Sequence, residues 1–156
     1  MGFNSKIFLK ANNFLPIDLN CLLYKYEMDF ARFSKILGIN EKLWISKAEK
    51  RKKLINRYMW KDNFFYDYDF VSRKHSPVKS LAAYYALWSG LASKKQARVL
   101  RNRLKIFEHK YGLATCDRDY GYKDRQWNHP NGWAPLHWIV ICGLKNYGFS
   151  KDAKRI

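Results

Sequence analysis

The residues best suited to chemistry lie in one aromatic, amide-rich run in the last third of the chain. Residues 126–136 read Gln-Trp-Asn-His-Pro-Asn-Gly-Trp-Ala-Pro-Leu. Two indoles on a loop shaped by glycine and proline present flat apolar faces, against which the C–H face of a pyranose can pack. Neighbouring amides donate to and accept from hydroxyl groups. The run predicts a carbohydrate-binding surface, or alternatively a tryptophan-rich structural loop; the candidate ligand contacts are Gln126, Trp127, Asn128, Asn131 and Trp133.

Asp67 and Asp69 form a second candidate for chemistry. The alternation of residues 65–70 is typical of a short strand, which would place both carboxylates on one side, about 6.5–7 Å apart. Inverting glycosidases use carboxylates separated by roughly 6.5–9.5 Å. The alternative, which we favour, is that the two carboxylates brace their own loop. We assign the same structural role to Asp18 and Asn20.

Other site classes find little support. His129 and His137 are separated by a proline and a helix start, without a cysteine or histidine at metal-ligand spacing, so we predict no metal site. A glycine-rich phosphate loop is not recognisable, and we predict no cofactor. The three cysteines form no C-x-x-C pair, which fits a reducing compartment. Without a recognisable signal peptide or apolar span, we expect a cytoplasmic protein that does not contact a membrane.

Helices must position these groups, because the apolar residues repeat with helical periodicity. The second helix is expected to bury Leu43, Ile45, Ala48, Ile55 and Tyr58. We expect N-caps at Asp18, Asn40, Ser80 and Ser93. The predicted helices cover 19–37, 40–58, 81–89, 93–107 and 134–147, and a sixth begins near 150.

The helices alternate in character. The first, third and fifth are apolar, whereas the second and fourth are amphipathic and basic. This is a hairpin repeat with an inner and an outer helix, as in a solenoid or a closed α/α barrel. The long loops, 60–79 and 108–132, both precede inner helices, so they should gather at one end, where a site is expected.

The net charge of +17 invites a nucleic-acid interpretation. Cations cluster on 41–58 and 93–107, the two amphipathic helices, so a solvated outer face is the simpler interpretation. The cationic helices are also separate from the tryptophan-rich loop, whereas a single-strand binder interleaves the two. We therefore expect no nucleic-acid partner, and retain a basic nucleic-acid-binding protein only as a minor alternative.

Five ordered blocks across 16–148 resemble the trehalases, glycoside hydrolase family 37. The 126–136 run is similar to that family's second signature, with Asn128 in place of an aspartate. The other blocks are Pro16-Ile17-Asp18-Leu19-Asn20 with Leu23-Tyr24, Tyr66-Asp67-Tyr68-Asp69, Ser80-Leu81-Ala82-Ala83 and Gly112-Leu113-Ala114-Thr115.

The resemblance implies an all-α chain forming about half of an (α/α)6 barrel, as three hairpins with long loops at one end. It implies inverting hydrolysis of α,α-trehalose to two glucose molecules, without a cofactor. It places the catalytic acid upstream of this chain's matching blocks and the base downstream, so neither is expected here. We accordingly expect residues 1–156 to be one incomplete domain, inactive alone, whose partners are the disaccharide and the missing parts of its own barrel. The alternative is a stand-alone helical carbohydrate-binding remnant.

Overall fold

Three helical hairpins follow one another along residues 11–121 and 125–156, the parts of the chain that the computed structural model describes. Residues 1–10, and residues 122–124 of the predicted 108–132 loop, lie outside the described residues. The helical elements are α1 (Ile17–Ile36), α2 (Lys42–Tyr58), a 3₁₀ turn (Leu81–Tyr84) continuing as α3 (Tyr85–Trp88), α4 (Lys94–Arg103) continuing as a 3₁₀ turn (Leu104–Phe107), α5 (Ala134–Asn146) and α6 (Ser150–Arg155).

Short strands of two residues each lie in the segments outside the helices. They are β1 (Phe14–Leu15), β2 (Trp60–Lys61), β3 (Phe64–Phe65), β4 (Tyr68–Asp69), β5 (Lys74–His75), β6 (Glu108–His109) and β7 (Gly112–Leu113). Three of them form one antiparallel sheet in the order β1-β4-β5, and the others form the hairpins β2-β3 and β6-β7. The packed framework is therefore helical, as the all-α prediction stated.

The inner helices pack side by side in chain order. Both α1 and α5 pack against α3 and its 3₁₀ turn, while α2 lies on α1 and α6 lies on α5. Asn146 Nδ2 donates to Trp88 O at 3.0 Å, linking the end of α5 to the end of α3. The three hairpins thus form an arc with the apolar helices on the inside of the repeat.

Gly143 marks the closest approach between two inner helices. A Cβ atom at this position would lie 2.9 Å from Leu87 Cβ and 3.0 Å from Trp88 N. Both distances are shorter than ordinary carbon contacts of about 3.5–4.0 Å. Glycine therefore lets α5 lie against α3 at a separation that a side chain would prevent.

The long loops meet at one end of the arc. Phe14, just before α1, pairs with Asp69 in the 60–79 loop. That loop in turn contacts the 108–132 loop, because Ser80 bridges to Cys116 and Lys79 N donates to Tyr120 Oη at 3.2 Å. The gathering expected from the hairpin order is therefore present among the described residues.

Some local predictions were wrong. Asp18 is not an N-cap: α1 begins at Ile17, and the Asp18 carboxylate accepts from Leu19 N at 2.7 Å inside the first turn. Ser80 also makes no side-chain capping bond, whereas Ser93 forms a capping box with Gln96. The continuous strand expected over 65–70 is instead two short strands, β3 and β4.

The buried face of α2 is narrower than predicted. Ala48 and Ile55 are buried, but Leu43 is 60% exposed and Ile45 is also exposed. Tyr58 is half-buried and its ring contacts Tyr68 at a centroid distance of 5.4 Å. The start of α2 therefore presents apolar side chains that nothing in the described chain covers.

Candidate functional site

Two stacked tryptophans dominate the loop that leads into α5. The rings of Trp127 and Trp133 have centroids 5.3 Å apart and planes 27° apart. Trp133 is half-buried, and its Nε1 donates to the carbonyl of the exposed Gln126 at 2.8 Å, which fixes the inner ring. Trp127 is 56% exposed. Trp127 therefore offers one open aromatic face, while its other face stacks on the fixed ring of Trp133.

The loop backbone is anchored to the segment after β7. Asn131 O accepts from both Thr115 N and Thr115 Oγ1 at 2.8 Å. The thiol of Cys116 donates to Trp127 O at 3.4 Å. Burial, reinforced by the nearby charge of Asp117, raises the pKa of the Cys116 thiol to about 11, so the thiol stays protonated and can donate at neutral pH.

The two asparagine side chains of the loop bond to neighbouring residues of the same segment. Asn128 is only 7% exposed; its Nδ2 donates to Asp119 Oδ1 at 2.7 Å, and its Oδ1 accepts from Tyr120 N at 3.5 Å. Asn131 Nδ2 donates to Arg125 O at 3.2 Å. The structure places all five predicted contact residues in one loop, but these two amides hold the loop together, while the Trp127 indole is exposed.

His137, which the sequence analysis considered only as a metal ligand and rejected, is a structural residue of this site. Its Nε2 accepts from Leu113 N at 2.8 Å, and its Nδ1 lies 2.9 Å from Trp133 O. Because an amide N–H can only donate and a carbonyl can only accept, the ring must be neutral with its proton on Nδ1. His137 therefore ties β7 to the loop at Trp133.

Two glycines make room for this histidine. A Cβ on Gly112 would lie 2.4 Å from His137 Nε2, and one on Gly132 would lie 2.7 Å from Leu113 O. Gly112 also has φ +124°, in the region that favours glycine. The two glycines, Gly112 and Gly132, were the sequence signal from which the contact between His137 and Leu113 could have been found.

A cavity of about 800 Å³ opens beside the loop rather than over the tryptophan pair. Its wall includes Leu113, His137, Trp138 and Ile141, and Tyr111 at its rim is 90% exposed. The lining is mainly apolar side chains of the β6-β7 hairpin and α5. This cavity therefore belongs to the open edge of the arc next to the candidate site.

The aspartates of the 60–79 loop accept hydrogen bonds from the backbone. Asp67 Oδ1 accepts from Ile17 N, the first residue of α1, at 2.8 Å. Burial raises the pKa of Asp67; this hydrogen bond partly opposes the rise, and the charge of Asp18 adds to it. Asp69 Oδ1 accepts from Val71 N at 2.9 Å and Ser72 N at 3.0 Å, closing a turn.

The remaining predicted structural residue, Asn20, is also engaged in bracing. Its Nδ2 donates to Pro16 O at 2.8 Å, and its Oδ1 accepts from Arg51 Nη1 at 3.5 Å. Arg51 in turn pairs with the buried Glu27 at 2.8 Å. This network joins the start of α1 to α2 beneath the end where the loops gather.

Comparison with known proteins decides the family. The family model described as Trehalase matches residues 4–156. The chain belongs to the trehalase family. The cytosolic neutral trehalase of Kluyveromyces lactis is 37% identical over 90% of this chain, and that of Saccharomyces cerevisiae is 35% identical over 90%. This trehalase-family chain spans about a fifth of those relatives, 21% of each.

Solved structures agree with the family assignment. The neutral trehalase of Saccharomyces cerevisiae matches with a TM-score of 0.86 and 34% identity, over 92% of this chain and 30% of that one. A family 63 mannosylglycerate hydrolase from Thermus thermophilus matches with a TM-score of 0.82 at 19% identity, over 98% of this chain and 38% of that one. The second match shows the fold alone. The trehalase-family fold is thus present as part of a helical barrel.

Neither a membrane helix nor a larger metal cluster is found in the described ranges of this trehalase-family chain. Within 11–121 and 125–156, the helices are too short or too polar to cross a bilayer. Over the same residues, no group of three or more histidine, cysteine, aspartate or glutamate side chains could surround a metal ion.

Proposed function

We propose that this trehalase-family chain supplies the aromatic wall of a trehalose-binding site in an α/α-barrel glycoside hydrolase. The observation that carries the proposal is the stacked Trp127–Trp133 pair, exposed on one face and located where the long loops gather. The similar proteins of known activity are cytosolic neutral trehalases, and they suggest the substrate class. We also propose a cytosolic location, which agrees with three free cysteines.

The aromatic wall can bind the sugar ring but cannot by itself break a glycosidic bond. Indole faces pack against the C–H surface of a pyranose, and exposed polar groups such as the Gln126 side chain can meet its hydroxyls. Hydrolysis with inversion needs one acid and one base on opposite sides of the bond. We assign neither role to Asp67 or Asp69, since both carboxylates accept backbone hydrogen bonds that stabilise α1 and a turn. The acid and base are proposed to lie outside residues 1–156.

The exposed apolar side chains at both edges of the arc are our argument that the rest of the barrel is the partner of this chain. Along the first hairpin the exposed apolar side chains include Leu19, Phe33, Ile36, Leu37 and Leu43. At the other edge Tyr111 and Trp138 are exposed. Large contiguous apolar surfaces are uncommon on soluble monomers and mark interaction sites. Neighbouring hairpins of a closed ring would cover both edges.

A chimera tests the proposed wall. The segment of the Saccharomyces cerevisiae neutral trehalase that aligns with residues 11–156 is replaced by this chain, and trehalose hydrolysis is measured. We expect activity, and we expect Trp127→Ala to raise KM about tenfold with little change in kcat, because an aromatic contact of about 1–1.5 kcal/mol is lost from ground and transition states alike.

Trp44→Ala is the matched control. Trp44 lies on α2 and packs against Phe30 with ring centroids 4.8 Å apart, away from the loop. Its replacement should leave KM unchanged. A chimera that melts cooperatively but does not hydrolyse trehalose, or an unchanged KM for both Trp127→Ala and Trp133→Ala, would contradict the proposed wall. Turnover by the 156-residue chain alone would contradict the placement of the acid and base.

A further inference from the structure

His109 and His129 converge at the surface from two different segments. His109 ends β6, and His129 lies in the tryptophan-rich loop. Their Nε2 atoms are 3.1 Å apart, and the ring centroids are 4.8 Å apart with planes inclined at 66°. A hydrogen bond between these nitrogens requires a proton on one of them and a lone pair on the other. Two imidazole nitrogens this close can also act as a pair of metal ligands.

Both histidines stand on anchored backbone. β6 pairs with β7 through Glu108 opposite Leu113, and Ala114 N donates to Phe107 O at 2.8 Å. On the other side, Asn131 N donates to Asn128 O at 3.0 Å, closing the turn that contains His129. The two rings therefore meet because the backbone presents them to one another.

We infer that His109 and His129 form a two-histidine site for a transition-metal ion of the Zn²⁺ class. This departs from the no-metal prediction, which considered His129 with His137 and not with His109. Zinc binds imidazole nitrogen at about 2.0–2.1 Å in tetrahedral geometry, which requires two ligand nitrogens about 3.3–3.4 Å apart. The observed 3.1 Å needs only a few tenths of an ångström of adjustment. The ion takes the place of the shared proton, and both rings bind as neutral imidazoles through Nε2.

The surroundings leave the other coordination positions to solvent. His109 is exposed, and the described residues supply no third histidine, cysteine, aspartate or glutamate to complete a cluster. The adjacent cation, Lys110, has its Nζ 5.2 Å from the centroid of the Tyr111 ring. A site with two protein ligands and open positions binds reversibly. An ion bound there joins the β6-β7 hairpin to the loop that carries Trp127 and Trp133.

Zinc titration of the 156-residue chain tests the assignment, with calorimetry for stoichiometry and NMR for the histidine nitrogens. We expect one ion per chain and shifts at Nε2 of His109 and His129. His109→Gln and His129→Gln should each weaken binding about tenfold or more, since loss of even an outer-shell partner costs that much. The double variant should bind no better than either single variant.

Cys142→Ser is the control for adventitious thiol binding, because Cys142 is the free cysteine that is not buried. It should leave the zinc affinity unchanged. The NMR shifts keep the test independent of any effect of the glutamine variants on folding. The inference is overturned if zinc binding survives both histidine replacements, if Cys142→Ser abolishes it, or if the two Nε2 resonances do not move. None of these results bears on the proposed sugar wall.

Discussion

The two long loops that lead into inner helices use their functional groups in opposite ways. In the 60–79 loop, the carboxylates of Asp67 and Asp69 accept backbone hydrogen bonds. In the 108–132 loop and its continuation to Trp133, backbone carbonyls, amides and His137 do the bracing, and an indole face remains exposed. The Trp127 indole is therefore available to a ligand because other groups hold its loop, whereas Asp67 and Asp69 are used to hold theirs.

The largest effect is expected from breaking the brace of the tryptophan-rich loop at Gly112. In Gly112→Ala, the new Cβ would lie 2.4 Å from His137 Nε2 at φ +124°, so the His137–Leu113 bond must break or the backbone must move. We expect a loss of about 2–4 kcal/mol in the free energy of unfolding, measured by urea denaturation.

Gly121→Ala separates the steric clash from backbone strain. Gly121 has φ +81°, but a Cβ added there would meet no atom of the described residues within 4 Å, so we expect only the conformational cost of about 1–2 kcal/mol. Equal losses for the two variants would show that the contact with His137 does not brace the loop.

A charge placed inside the tryptophan-rich loop should have the next largest effect. Asn128→Asp sets a second carboxylate against Asp119, whose Oδ1 is 2.7 Å from Asn128 Nδ2. At pH 7 we expect a loss of about 1–3 kcal/mol in the free energy of unfolding.

The pH dependence and a second substitution check that cause. Repulsion and burial raise the pKa of one carboxyl in the folded state, so the penalty is present at neutral pH and disappears as the pH falls through that raised value. Adding Asp119→Asn should recover most of the loss at pH 7. A penalty that is unchanged at pH 4, or no recovery, would contradict this explanation.

The smallest effect is expected in the 60–79 loop at Asp67. Asp67→Ala removes the acceptor for Ile17 N and should cost about 1 kcal/mol, as for other capping residues. Asp67→Asn keeps an acceptor and should be close to neutral. In the chimera, Asp67→Asn and Asp69→Asn should both leave trehalose hydrolysis largely intact, whereas abolition by either would make these carboxylates catalytic.

The raised pKa of Asp67 adds a pH signature to this comparison. Because the pKa of Asp67 is higher in the folded state than in the unfolded state, its ionisation destabilises the fold. The loss of unfolding free energy begins as the pH rises above the unfolded-state pKa and is complete above the folded-state pKa. Asp67→Asn should therefore remove a decline in unfolding free energy between acidic and neutral pH. Urea denaturation at pH 4 and pH 7 measures it, and a decline that persists would assign the titration to another group.

Local sequence signals predicted where the helices lie, but not which distant residues contact them. The Ser93 capping box lies within four residues, and helical periodicity located α1, α2 and α5 to within a few residues. The cap of α1 was missed because its acceptor, Asp67, is 50 residues away in the sequence. Leu43 and Ile45 were expected to be buried because periodicity reveals an apolar stripe and not what covers it.

For the candidate site, the sequence predicted which residues share the loop but not where each side chain turns. The bonds of Asn128 to Asp119, of Asn131 to Arg125 and of Trp133 to Gln126 turn these side chains away from a ligand, and no spacing rule encodes them. The roles of the five predicted contact residues in binding sugar remain predictions.

Gly143 has a consequence for the width of the whole ring. Where α5 lies against α3 with no space for a methyl group, a larger residue would act as a wedge at one seam. In a closed circle of hairpins, an angle added at one seam must be taken up at the others or leave a gap. A single hydrogen in place of a side chain thereby helps to set the angle between these two hairpins.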